Sequence, residues 1–123
     1  AAHGFAIHPT LPAAGVQADR LASAGWGPAQ QPAFVCRWLL GHGQGYDEAR
    51  LRYEPFDRIV DPDDASRAEI AALAVMAVAA GRLVWVIANN KAEGSAPLTL
   101  RTLARAISDL HQTGRKTVDA PPE

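Results

Sequence analysis

The sequence predicts an α/β fold made of parallel βα units. Three observations carry this. Short apolar runs alternate with longer segments of helical character, each run stops at a turn-forming residue or soon after, and the run 83–88 has no polar residue in it. Strands that alternate with helices imply parallel crossovers. A strand without polar alternation belongs to the kind of sheet that is covered on both faces.

The predicted strands are residues 4–8, stopped by Pro9, residues 33–40, stopped by Gly41, and residues 83–88, stopped by Asn89 and Asn90. The first helix spans 12–24, with Val16 and Leu21 on one side and Gly25 as terminator. A short helix over 47–53 ends before Pro55. The strongest helix spans 66–80: Ser66 and Glu69 have capping-box spacing, and Gly81 closes it. Its body is apolar nearly all round, which predicts deep burial. The last helix spans 100–112, with Thr99 as N-cap, Leu98 and Leu103 as a hydrophobic staple, and Leu100, Leu103, Ile107 and Leu110 as one stripe. The domain is expected to occupy residues 1–112, and 113–123 to form a disordered polar tail.

Composition narrows the function classes. The chain has 123 residues, 48% hydrophobic and 20% charged, as a globular domain does. A net charge of -1 gives no reason to expect nucleic acid or an anionic membrane as partner. The single cysteine, Cys36, excludes an internal disulfide and reads as a buried small hydrophobe. No stretch reaches the roughly 18 apolar residues of a membrane span, and no basic-then-apolar leader opens the chain. The expected location is the cytoplasm.

In a parallel sheet, ligands bind at the carboxyl ends of the strands. That rule selects His8 after the first strand, Arg37 near the end of the second, and Asn89, Asn90, Lys91 and Glu93 after the third. Alternation puts Phe5 and Ile7 toward the helices with Phe34, Cys36 and Trp38, and leaves His8 and Arg37 on the other face. The same logic is read on the third strand as Asn90, Ala88 and Val86 together, with Trp85 toward the helices. Arg37 needs a carboxylate, a phosphate or water, because burying its charge alone is costly. Glu93 is one option if the last two strands are adjacent, which would make a structural Arg–Glu pair at the barrel mouth; the alternative is a clamp for an anionic or hydroxyl-rich ligand. Gly41, Gly43 and Gly45 miss the dinucleotide pattern G-x-G-x-x-G, since Tyr46 takes the last position. His42 in that loop is a further ligand-binding candidate. The histidines lack metal-ligand spacing, so no metal site is predicted, and the sequence leaves the cofactor unknown.

Cys36-Arg37-Trp38-Leu39-Leu40, Gly45-Tyr46-Asp47-Glu48-Ala49, Tyr53-Glu54-Pro55-Phe56-Asp57 and Asn89-Asn90-Lys91-Ala92-Glu93-Gly94-Ser95-Ala96-Pro97 resemble the C-terminal part of the domain-of-unknown-function 72 family. Ile7-His8-Pro9 with Gln17 resembles the preceding strand and loop. The resemblance covers about residues 5–110. It implies a TIM-type (β/α)8 barrel, of which this chain would be the last three strand–helix units, and implies no particular reaction. A whole barrel needs roughly 250 residues, so the remaining strands would come from elsewhere, together with any catalytic residue they carry.

Two function classes fit. One is a barrel enzyme or enzyme fragment that binds a sugar or phosphate ester at the rim. Arg37, Lys91, Asn89, Asn90 and His42 would then hold the ligand, and Glu93 or His8 would act as acid or base. The other is a non-catalytic binding or assembly module, self-associating through exposed strand edges, or a truncated fragment that needs its missing half.

Overall fold

The structure, a computed structural model, describes residues 4–40 and 45–119, without the side chains of 115–119. Its elements are β1 (Gly4–Ile7), α1 (Ala14–Ser23), β2 (Ala33–Trp38), α2 (Tyr46–Tyr53), α3 (Asp64–Ala79), β3 (Leu83–Ala88) and α4 (Ala96–Asp119). The strands form one sheet in the order β1-β2-β3, and both pairings are parallel. The predicted α/β class and strand direction therefore hold.

Alternation along the strands builds the core. Phe5 and Ile7 from β1 and Phe34, Cys36 and Trp38 from β2 are all buried. They join Ala14 and Ala18 of α1, Ile70, Ala71, Leu73, Ala74 and Ala77 of α3, and Leu103 of α4 in one cluster. Each large side chain buried there contributes roughly 1.5–3 kcal/mol. The alanine-rich face of α3 lets that helix lie close to the strands. A second, smaller cluster holds Leu40, Ala49 and Tyr53, with Phe56 and Val60 against it.

β3 turns the other way from the sequence reading. The register sets Val35 beside Trp85 and Cys36 beside Val86. Neighbouring residues in a parallel ladder share a face, so Val84, Val86 and Ala88 pack on the helices and Trp85 does not. Leu83, Trp85 and Ile87 stand 65%, 57% and 54% exposed on the opposite face, beside Val35 and Arg37. An all-apolar strand gives alternation nothing to act on, which is why its facing could not be read.

Helix limits shift for local reasons. α3 starts earlier than predicted because Asp63, not Ser66, is the N-cap, its carboxylate accepting from the Ser66 N–H at 3.1 Å. Glu69 accepts from the Gly15 N–H of α1 at 3.2 Å instead of closing a capping box. α3 is not buried all round either, since Met76 is 51% exposed. α4 starts at Ala96, ahead of the predicted cap Thr99, and continues past Gly114 to Asp119. The Ala96 N–H is bound at 2.8 Å by Asn90 Oδ1, which takes the capping role.

The free edge of β1 is partly closed from within. Gln17 Nε2 donates to the Ala6 carbonyl at 2.7 Å, and its Oε1 accepts from the Ala6 N–H at 3.2 Å. Ile7 O receives Leu39 N–H from the β2 side. Ala6 therefore points its backbone groups away from β2, where the Gln17 amide stands in for a neighbouring strand.

Candidate functional site

The predicted residues divide into two groups. Arg37 lies on the uncovered face, exposed, in the row formed with Ala6 and Ile87. Ile7 and Ala88 both pair with Trp38, so His8 and Asn89 come one residue beyond the paired row on either side of β2. The Asn89 N–H still donates to Trp38 O at 2.8 Å. The register therefore places these three residues at the carboxyl ends of neighbouring strands, which lie about 4.8 Å apart.

Each flanking side chain is oriented by its own turn. His8 Nδ1 accepts from the Thr10 N–H at 3.2 Å and lies 2.8 Å from Thr10 Oγ1. Asn89 Oδ1 accepts from the Lys91 N–H at 2.9 Å. Part of the asparagine signal is therefore turn and cap chemistry, Asn90 included.

Glu93 belongs elsewhere. Its carboxylate is fully buried. Oε2 is ion-paired with Arg67 Nη2 and accepts from the Asp63 N–H at 2.7 Å, while Oε1 accepts from Thr99 Oγ1 at 2.7 Å. The Glu93 carbonyl accepts from the N–H groups of Val60 and Asp61 at 2.8 and 3.1 Å. Burying a carboxylate costs several kcal/mol, and this cost is offset only when a charge partner and further donors meet it, as here. The expected Arg37–Glu93 pair does not form, because Arg67 of α3 occupies the carboxylate. Glu93 ties the loop after β3 to the segment before α3.

The neighbouring residues extend this node. Asp61 accepts from Tyr53 Oη at 2.8 Å and from Arg52 Nη2 at 2.9 Å. Burial, helped by the Asp61 hydrogen bond, pushes the Tyr53 hydroxyl up to about 12. Gly94, at φ 128°, lies against Arg58 O and Val60 N, where a Cβ would collide with backbone. Lys91 Nζ sits 4.2 Å from the Tyr46 ring centroid and 5.7 Å from that of Phe56, a cation–π contact rather than a vacant ammonium. Burial also raises the Cys36 thiol to about 12, so it is inert in the fold.

Arg67, Thr99, Asp61, Tyr53 and Tyr46 were missed as partners in the sequence reading. Only Asp63, three residues before Ser66, carried a local signal as a cap. His42 lies outside the described residues. Among the described residues no group of three or more His, Cys, Asp or Glu side chains is placed to hold a metal ion. None of their helices is long and apolar enough to cross a membrane. Comparison with known proteins finds no matching family model, no matching curated protein and no matching solved structure.

Proposed function

We propose that the chain is a wall segment of a TIM-type (β/α)8 barrel, related to the domain-of-unknown-function 72 family. In this reading it binds a small polar or anionic ligand, a sugar or phosphate ester, at the carboxyl rim of its strands. One observation carries this: three parallel strands in chain order, with the helices of the main core all against the same face. Doubly wound sheets place helices on both faces, whereas a barrel wall has helices outside and strand side chains inside. The bare face would be the barrel interior, covered when further βα units complete the wall. Arg37, His8 and Asn89 would contact the ligand. Asn90, Lys91 and Glu93 would hold the loop that presents Asn89, and any acid–base step on this chain would fall to His8.

A thermal-shift screen of the full chain against sugars and phosphate esters tests this. A rise in Tm that Arg37→Met removes is the expected result. No stabilising compound, in a chain that remains folded, sinks the ligand-binding part.

The exposure of Leu83, Trp85 and Ile87 favours a second reading, assembly through the sheet. The two edges differ in this respect. Gln17 already satisfies Ala6 on β1, which leaves the β3 edge and the bare face as the surface for self-association. Sedimentation discriminates: concentration-dependent association, lost in Trp85→Lys, supports assembly, and a monomer at all concentrations excludes it.

A further inference from the structure

The ligand class can be narrowed from the hydrogen-bonding state of the rim. We infer that the Arg37, His8 and Asn89 site takes an anion, a phosphate or carboxylate group, and not a neutral sugar; this rests on the rim reading above. A backbone N–H can only donate, so the Thr10 N–H fixes His8 Nδ1 as the acceptor. The ring proton is then on Nε2, the nitrogen left for a ligand. The Lys91 N–H likewise fixes the acceptor of Asn89 as Oδ1, which leaves the two Nδ2 protons. Arg37 has five N–H donors and no acceptor.

All three residues therefore offer donors. Among the described residues no strand position of the uncovered face carries a carboxylate to balance them: the others are Gly4, Ala6, Ala33, Val35, Leu83, Trp85 and Ile87. Glu93, the nearest acid in sequence to Asn89, is held by Arg67, Asp63 and Thr99. A neutral sugar needs acceptors as well as donors, because each hydroxyl does both. A phosphate or carboxylate is acceptor-only and fits the planar fork of Arg37, with His8 and Asn89 on either side.

The test is an NMR titration of the full chain with inorganic phosphate and, in parallel, with glucose at the same pH and ionic strength. Phosphate should shift the side-chain N–H resonances of Arg37, His8 and Asn89, and glucose should not. Arg37→Met should weaken phosphate binding at least tenfold. Asn89→Asp should do so too; it keeps an acceptor for the Lys91 N–H, so the turn survives, and it replaces the donors with charge of the wrong sign. Glucose moving these resonances while phosphate does not would overturn the anion assignment and leave the rim reading standing. Phosphate binding elsewhere, or unchanged in Arg37→Met, would overturn the assignment too. Binding of neither probe would remove both.

Discussion

Phe34 and Trp85 lie on adjacent strands of the same sheet, and the fold treats them in opposite ways. Phe34 is fully buried against α-helices, packed 5.2 Å from the Phe5 ring centroid. Trp85 is mostly open to solvent, in a row with Leu83 and Ile87. Both are large aromatic residues in apolar strands, so hydrophobicity does not separate them. What separates them is cover: α1, α3 and α4 supply one face of the sheet with partners, while Leu83, Trp85 and Ile87 stay exposed on the other. The covered face stabilises this chain, whereas the bare face holds apolar area whose burial would stabilise an assembly.

That contrast can be tested from its strongest point downward. Glu93→Ala should cost most, about 3–5 kcal/mol in urea unfolding, because it removes the buried carboxylate that Arg67, the Asp63 N–H and the Thr99 hydroxyl share and leaves Arg67 only the exposed Asp64. Retained stability would mean that the node is not a keystone of the covered side. Phe34→Ala should cost a comparable ~3–5 kcal/mol by opening a cavity in the main cluster.

A pH effect comes next. The Tyr53 hydroxyl rises from 10.0 to about 12, through burial first and the Asp61 hydrogen bond second. The folded state holds this proton more tightly than the unfolded chain does. The contribution is whole below pH 10 and is lost as pH climbs from about 10 to about 12. Tyr53→Phe should remove that alkaline loss, followed by urea midpoints across the range.

Gln17→Ala should cost about 0.5–1.5 kcal/mol by exposing Ala6, and should increase self-association in sedimentation, since it reopens the β1 edge. Trp85→Ser should have the smallest effect on the chain alone, within about 0.5 kcal/mol. A loss as large as that of Phe34→Ala would show that the two faces are equivalent, and the contrast would collapse.

Much of the fold could be read locally. Turn residues bounded the strands: Pro9, Gly41 and Asn89 each follow an apolar run within a few residues, and the observed strands fall inside the predicted ranges. Arg37 fixed the facing of β2, because one charge in an apolar run breaks its symmetry. β3 has no such mark, and its facing was read in reverse. Thr99 looked like a cap because it precedes a helical stripe, yet it is buried and spends its hydroxyl on Glu93. The strand ends were legible too. His8, Arg37 and Asn89 were selected by their place at strand ends, but Glu93 was grouped with them because sequence proximity does not reveal that Arg67, on another helix, reaches it first.

By itself the sequence determined the α/β class, the number of strands, their parallel course and which residues lie at their carboxyl ends. These depend on periodicity, turn chemistry and short-range sterics, which act within a few residues. Only the tertiary structure decided which face of the sheet is covered, which carboxylate meets which guanidinium, and which atoms of His8 and Asn89 are bound within their own turns. Those outcomes depend on packing and hydrogen-bond partners brought together from distant parts of the chain, as Arg67 and Glu93 are.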